Sequence, residues 1–345
     1  MSEPIHQDAP GAAPGAAARR RRASRRRRLF TIITASLALL SAAGLAAIEL
    51  RWTREFDAPY PPLSARTDPA IVAEGEYLVY SAAACAYCHV PRESWDALDR
   101  GERLSLIGHH LFRLPFGDFY SANVTPDAAT GIGGRSDSEL ARLLRYGVRA
   151  DGRAAFPLME FHDMSDEDLV AVISYLRSRP AVSHAVPDHQ LTRFGKALMG
   201  FAITPVGPAQ TPPRTNATAP STARGAYLAN TVSSCVTCHT DRGEDGALVG
   251  PPFAGGQRMD VAASTTQVFV SPNLTPDALT SPLGVWSEDQ FVVRFRQGPL
   301  LPGTPMPWGA FARLRDDDLR SLYRYLRSLP PVTNRTGPPV QARTD

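Results

Sequence analysis

Four cysteines occur in this chain of 345 residues, and all four fall into one repeated five-residue pattern. The first copy is CAYCH at residues 85–89, and the second is CVTCH at residues 235–239. In Cys-x-x-Cys-His, the two thiols can add to the two vinyl groups of one haem while the adjacent imidazole binds its iron. The spacing therefore predicts two covalently attached haem c groups. The residues predicted to hold them are Cys85, Cys88, His89, Cys235, Cys238 and His239.

Other uses of paired thiols explain this pattern less well. A disulfide-exchange site needs neither the following histidine nor a second copy, and its usual βαβ context is missing from the sequence. Structural zinc normally takes two pairs about 15–20 residues apart, whereas these pairs are separated by 150 positions. Ordinary disulfides in an exported protein would leave both histidines unexplained. Haem attachment is the interpretation that uses every residue of the motif.

The chain also contains an internal repeat with a constant offset of 150 residues. GEYLVYSAAACAYCH from Gly75 resembles GAYLANTVSSCVTCH from Gly225. SANVTPD at 121–127 resembles SPNLTPD at 271–277, and DLVAVISYLRSRPAV from Asp168 resembles DLRSLYRYLRSLPPV in the second copy. Two copies of one module are therefore predicted, each with one CxxCH motif.

Each copy is predicted to be mostly helical. In the first copy we expect helices at 70–83, 136–147 and 165–178, the last beginning at an N-cap serine followed by acidic residues. Apolar residues recur at three- and four-residue steps in this closing helix and in its counterpart, which predicts a core-facing stripe. Tyr175 and Tyr325 lie in these helices, and we assign them a packing role.

On these motifs the sequence resembles the class I cytochrome c family in a tandem dihaem form. The resemblance covers roughly residues 70–182 and 220–332 and depends on the two CxxCH motifs, the N-V/L-T-P-D stretches and the closing helices. It implies an all-α fold with two haem domains in tandem. It also implies electron transfer, because cytochromes of this kind often accept electrons from a periplasmic dehydrogenase.

The sixth ligand of each iron decides whether a haem transfers electrons or binds small molecules. In the second copy the candidate is Met306, in the loop GTPMPWGAF, which matches the Met-Pro loop of the family. The alternative is that its thioether only fills space in the core. The resemblance also assigns the carbonyl of Pro251 as the acceptor for the free ring nitrogen of His239.

The first copy leaves its sixth ligand open. Its corresponding loop is GRAAFPLMEFHDMSDED, in which Met159 is not followed by proline. We favour Met159 and retain Met164, beside the helix cap, and His162 as alternatives. The other histidines of this copy, His109, His110, His184 and His189, are predicted to lie in loops or in solvent.

The N-terminal segment combines a basic cluster with an apolar run. Eight arginines lie between residues 19 and 28, and the first 50 residues have a net charge of +5, which leaves −2 for the rest. The near-neutral charge of residues 51–345 gives no basic surface of the kind that binds nucleic acid. Twenty uncharged residues at 29–48 can span a bilayer, and the arginines before them place the body in the periplasm. The alternative is a cleaved secretory signal, although this run exceeds its usual length.

These observations predict the organisation of the chain. We expect a basic cytoplasmic tail without fixed structure (1–28), a single helix across the bacterial inner membrane (29–50), a linker (51–68), a first haem domain (69–182), a second linker (183–219), a second haem domain (220–333) and a C-terminal tail (334–345). The leading hypothesis is an electron carrier with redox proteins such as a dehydrogenase, an oxidase or a reductase as partners. The alternatives are a dihaem peroxidase-like enzyme with one open haem and, less favoured, a sensor of small gases.

Overall fold

The computed structural model describes residues 15–159, 161–216, 219–243, 246–260 and 266–343, and this part of the chain is mostly helical. A long N-terminal helix precedes the first repeat, α1 (Gly15–Arg51). The helices of the first repeat are α2 (Pro69–Tyr77), α3 (Cys85–His89), α4 (Trp95–Arg100), α5 (Asp137–Tyr146) and α6 (Asp166–Ser178). Between the repeats lies α7 (Arg193–Ala197). The helices of the second repeat are α8 (Thr222–Tyr227), α9 (Cys235–Cys238), α10 (Glu288–Arg296), α11 (Trp308–Phe311) and α12 (Asp316–Ser328).

The first and last helices of each repeat cross at a glycine. A Cβ atom on Gly75 in α2 would lie 2.0 Å from the carbonyl oxygen of Ala171 in α6. In the second repeat, a Cβ on Gly225 in α8 would lie 1.9 Å from the carbonyl oxygen of Ser321 in α12. Real Cβ atoms do not approach backbone so closely, so only glycine permits this crossing. The repeated G-x-Y-L sequence therefore fixes how the two helices pack.

Local sequence signals set the helix ends. Ser136 and Glu139 form a capping box at the start of α5, which ends at Gly147 in the left-handed conformation. Ser165 caps α6 by accepting a hydrogen bond from the backbone N–H of Asp168. The helices predicted at 136–147 and 165–178 are thus confirmed. The helix predicted at 70–83 begins at Pro69 and ends in a π-helical turn over Leu78–Ala82.

The fold is not purely helical, which corrects the all-α prediction. Three small antiparallel sheets are present in the described residues: β1 (Leu111–Leu114), β2 (Gly117–Tyr120) and β3 (Gln190–Leu191); β4 (Asp241–Arg242) and β5 (Leu248–Val249); and β6 (Arg258–Asp260), β7 (Gln267–Val270) and β8 (Val340–Ala342). The β1–β2 hairpin turns tightly, with Leu114 paired to Gly117. These strands were missed because each has at most four residues, too few for a periodic signal.

The segments predicted as a linker and a tail carry structure and pack on the repeats. Within 183–219, β3 pairs with β2 of the first repeat, and α7 follows it. Later in the same segment, the carbonyl of Pro213 accepts a hydrogen bond from the backbone N–H of Asp166 in α6 at 3.0 Å. At the C-terminus, β8 extends the sheet of the second repeat. The predictions of a linker and a tail did not reveal these contacts.

Helix α1 is the one helix in the described residues that is long and apolar enough to cross a membrane. Its apolar side chains, including Leu39 and Leu40, are exposed rather than packed on the repeats. The eight arginines between residues 19 and 28 belong to this helix. The prediction that the basic tail lacks fixed structure is therefore wrong for residues 15–28. The rest of the predicted tail, residues 1–14, lies outside the described residues.

Candidate functional site

Each CxxCH motif begins where the first helix of its repeat reverses direction. In the first repeat a π-helical turn ends at Ala82, and Ala84 adopts a left-handed conformation (φ 50°) immediately before Cys85. In the second repeat Ser234 adopts the same conformation (φ 47°) before Cys235. Left-handed backbone is costly for residues with a Cβ and is concentrated at functional sites. The turn starts a new short helix, on which the two thiols stand three residues apart and share one face.

Both motif histidines are oriented by a backbone carbonyl. Nδ1 of His89 lies 2.8 Å from the carbonyl oxygen of Ala122, and Nδ1 of His239 lies 3.1 Å from that of Pro272. A carbonyl only accepts, so Nδ1 must donate its proton and Nε2 is left as the atom that can bind a metal. Burial lowers the pKa of both histidines, which favours the neutral imidazole that metal binding requires.

The acceptor for His239 differs from the one expected. Pro272 takes the place that was predicted for Pro251, whose own carbonyl accepts from the backbone N–H of Ala254 at 3.3 Å. Both prolines follow the motif and both lie in loops, so sequence distance did not separate them. Ala122 and Pro272 occupy the same position in the two copies of the internal repeat, so the two histidines have equivalent acceptors.

A buried asparagine holds each of these carbonyl-bearing loops in place. Asn123 follows Ala122, and its Nδ2 donates to the carbonyl of Val182 at 2.9 Å while its Oδ1 accepts from the N–H of Thr125 at 3.0 Å. The same contacts recur in the second copy, with lengths of 2.7 and 2.9 Å, between Asn273, Val332 and Thr275. The N-x-T-P-D stretch was recognised only as a family marker. It ties the loop beside the histidine to the chain leaving the closing helix.

The environment of the thiols is unsuited to disulfide exchange. Burial raises the pKa of Cys85 and Cys235 to about 12 and that of Cys88 to about 11. Exchange catalysts instead lower the thiol pKa so that the reactive thiolate is present at neutral pH. Two thiols on one short helix and a carbonyl-oriented imidazole with a free Nε2 fit a covalently bound haem in each repeat.

The methionines considered as sixth ligands differ in their surroundings. Met306 lies in the loop that leads into α11. It is partly buried and packs against the hydrophobic core that contains residues of both repeats. Met164 is 2% exposed within that core, and its carbonyl accepts a hydrogen bond from Arg145. Met159 is half-buried in the loop before it. His162 is also half-buried, and its carbonyl accepts from Arg145 at 2.8 Å. The full burial of Met164 suits a packing residue.

The remaining histidines of the first repeat are only partly as predicted. His110 lies outside the helices and strands, which fits the predicted loop position, but it is 6% exposed and stacks on Trp95 with ring centroids 5.2 Å apart. His109 is exposed, and its Nδ1 lies 3.2 Å from Nε2 of His184. His189 is exposed, as predicted. Burial of His110 follows from the β1–β2 hairpin, which the sequence did not reveal.

A reciprocal pair of hydrogen bonds joins the two repeats. The hydroxyl of Tyr77 in the first repeat donates to Asp318 Oδ2 in the second at 2.5 Å. The hydroxyl of Tyr227 in the second repeat donates to Asp168 Oδ2 in the first, also at 2.5 Å. Burial raises the pKa of both tyrosines, so the hydroxyls stay protonated and donate. The two copies therefore associate with approximate twofold symmetry rather than as independent domains.

A buried ion pair lies in the same interface. Arg224 Nε donates to Asp318 Oδ1 at 2.7 Å, and both side chains are at most 4% exposed. Arg224 also donates to the side chain of Asn216, whose Nδ2 donates to Asp168 Oδ1 at 2.9 Å. Every charge in this network has a hydrogen-bonded partner, which is the condition under which buried charges are tolerated.

The interface network should dominate the stability of the assembled repeats. Replacing Asp318→Asn leaves the Arg224 guanidinium buried without its counter-charge, and we expect the free energy of unfolding to fall by about 3 kcal/mol. The matched control is Asp289→Asn, since Asp289 is 79% exposed and pairs with Arg320 at 2.8 Å. This surface change should cost at most about 0.5 kcal/mol. Urea unfolding of the haem-loaded protein followed by circular dichroism measures both, and equal losses would contradict the prediction.

The first CxxCH motif also contacts the second repeat. Tyr87, which lies between the two thiols of the motif, is 8% exposed and donates through its hydroxyl to Asp99 in α4. Gly309 in α11 covers this pair, because a Cβ there would lie 2.3 Å from the Tyr87 hydroxyl oxygen. Gly309 lies three residues after Met306. The CxxCH motif of the first repeat is thus packed against α11, which directly follows the loop that contains Met306.

Comparison with known proteins gives a consistent set of relatives. No protein-family model matches the chain. It is 29% identical over 309 residues to the cytochrome c subunit of a quinone-dependent alcohol dehydrogenase from Gluconobacter oxydans, covering 85% of this chain and 60% of the relative. It is 29% identical to the gluconate 2-dehydrogenase cytochrome c subunit of Pantoea cypripedii, covering 76% and 60% respectively. It is 27% identical to a dihaem c-type cytochrome of Cereibacter sphaeroides, covering 87% and 98% respectively.

The chain covers a different share of each relative's length. The chain spans about 60% of the dehydrogenase cytochrome subunits that it matches, but nearly the whole of the dihaem cytochrome. The similarity covers most of this chain in each case and therefore includes both repeats.

Proposed function

We propose that this chain, a homologue of cytochrome c subunits of dehydrogenases and of a dihaem c-type cytochrome, is a membrane-anchored electron carrier with two haem c groups. The observation that carries the proposal is the repeated site, in which two thiols share a short helix and the adjacent histidine has its Nδ1 fixed by a carbonyl. A haem iron with histidine and methionine ligands accepts and donates single electrons. The chain is proposed as a carrier, not as an enzyme with its own substrate.

Each residue of the site has a distinct task in this proposal. Cys85 and Cys88 hold the first haem, and Cys235 and Cys238 hold the second. His89 and His239 bind iron through Nε2, while the carbonyls of Ala122 and Pro272 keep that nitrogen correctly oriented. Met159 and Met306 complete the coordination and exclude other ligands.

The joined repeats support transfer between the two haems. Close to both motifs, the Ser233 hydroxyl donates to the carbonyl of Ala82 at 2.8 Å, so the turns that precede Cys85 and Cys235 touch each other. With the buried network of Asp318 and Arg224, this contact holds both attachment sites in one body. With a haem bound at each motif, this fixed arrangement would allow electron transfer between the two groups without a docking step between domains.

The expected partners follow from the relatives and from α1. Two of the three named relatives are cytochrome c subunits of dehydrogenases, so we propose a dehydrogenase as the electron donor and an oxidase or reductase as the acceptor. We further propose that α1 is retained as an anchor in the bacterial inner membrane, with arginines 19–28 in the cytoplasm and both repeats in the periplasm.

A spectroscopic experiment on the full chain distinguishes a carrier from an enzyme. After production with a c-type maturation system, a carrier should contain two haems per chain and show the ferric absorption band of methionine-to-iron ligation. Its reduced form should be unaffected by carbon monoxide. Stoichiometric binding of carbon monoxide to one haem, together with peroxide turnover, would instead establish the peroxidase-like alternative.

A further inference from the structure

The segment between the repeats carries exposed aromatic side chains where it meets the end of α1. Helix α7 and the π-helical turn after it form one continuous helical segment over 193–202, called here the interfacial segment. Phe194 is 64% exposed and Phe201 is 52% exposed. They are seven residues apart on this segment. Exposed phenylalanines on a short helical segment indicate an unassigned contact surface.

The interfacial segment is fastened to the last turn of α1. Lys196 Nζ lies 2.7 Å from Glu49 Oε2 and 5.1 Å from the centre of the Trp52 ring. The Arg51 guanidinium lies 5.0 Å from the centre of the Phe201 ring. Glu49 immediately follows the apolar run of α1, so side chains that contact it lie near the level where that run ends.

The close fit shows that this contact is specific. A Cβ on Gly200 would lie 3.1 Å from the backbone nitrogen of Trp52, which is a tight contact, so glycine favours the approach. Arg54 Nη2, just beyond α1, donates to the carbonyl of Ile203 at 2.8 Å. On its other side the segment is tied to the first repeat, because a Cβ on Gly195 would lie 2.0 Å from the carbonyl oxygen of Phe116. The segment therefore links α1 rigidly to the first repeat.

We propose that the interfacial segment lies on the periplasmic surface of the membrane and inserts Phe194 and Phe201 among the lipid headgroups. This inference rests on the proposed anchoring by α1 and adds a second membrane contact to it. The chemistry suits a lipid surface, since aromatic rings are combined with the cation of Arg193, and the segment contains no acidic residue of its own. The charge of Lys196 is paired with Glu49. The contact fixes the orientation of the first repeat relative to the bilayer instead of leaving it on a flexible tether.

Site-directed photocrosslinking to lipid tests this placement. The full haem-loaded chain is placed in vesicles of phosphatidylethanolamine and phosphatidylglycerol, with p-benzoylphenylalanine replacing Phe194 or Phe201. A variant with the same replacement at Leu40 in α1 reports insertion of the anchor. A variant at Leu279, which is 75% exposed in the second repeat, serves as the matched surface control. Lipid adducts on the labelled peptide are measured by mass spectrometry.

The expected result is lipid adducts at positions 40, 194 and 201 with yields several-fold above that at position 279. Adducts at position 40 with yields at 194 and 201 no higher than at 279 would overturn the inference and leave the anchor intact. A lack of adducts at position 40 as well would overturn the proposed anchoring and this inference with it. Haem content and the absorption spectrum of each variant report separately on the proposed electron-transfer sites.

Discussion

Replacing both Cys235 and Cys238 with alanine is expected to reduce the covalent haem content of the chain from two groups to one. The thiols supply the only covalent bonds proposed for the second haem, and His239 alone provides no thioether link. The absorbance per chain should fall by half. The remaining haem should keep its own spectrum, because the first motif and its carbonyl partner at Ala122 are untouched.

The matched variant replaces Cys85 and Cys88 and should also leave one haem. Haem per chain is measured by the pyridine haemochrome assay, and covalent attachment is checked by haem staining after denaturing electrophoresis. Alanine at all four positions should give a colourless chain. Retention of two covalent haems by either double variant would show that the motifs do not attach one haem each.

The second large effect concerns the sixth ligands. Replacing Met306→Ala should remove half of the ferric methionine band and create one haem that binds carbon monoxide. Met159→Ala should do the same for the other haem, and the double variant should lack the band. The physical reason is that alanine offers no donor atom, so the vacated position admits an external ligand. Loss of the thioether should also lower the reduction potential of the affected haem.

Met164 and His162 provide the controls for Met159. Met164 is 2% exposed in the core, so Met164→Ala should lower the free energy of unfolding by about 2–5 kcal/mol while leaving the band intact. His162→Ala should leave the band intact as well. If Met164→Ala abolishes half of the band and Met159→Ala does not, the assignment moves to Met164.

The sequence alone determined those features that depend on neighbouring residues. The CxxCH spacing predicts the two attachment sites, since covalent haem attachment uses two thiols and an imidazole within five consecutive positions. Serine caps and a terminal glycine defined the helices around Ser136, Gly147 and Ser165, because capping satisfies backbone groups within one turn. The apolar length of α1 likewise followed from composition.

The tertiary structure decided which distant groups meet. The acceptor for His239 is the carbonyl of Pro272, 33 residues away, and local sequence could not distinguish it from Pro251. Any carbonyl can accept a hydrogen bond, so the choice depends on which loop the buried Asn273 holds beside the ring.

The association of the two repeats likewise could not be predicted from the sequence. Tyr77 meets Asp318 across 241 residues, and its counterpart Tyr227 meets Asp168. From the sequence alone, tyrosine and aspartate at these positions are equally consistent with solvent-exposed residues of two separate domains. They pair because packing of both repeats into one core excludes water from them, and only the folded arrangement of the whole chain determines which polar groups must then satisfy each other.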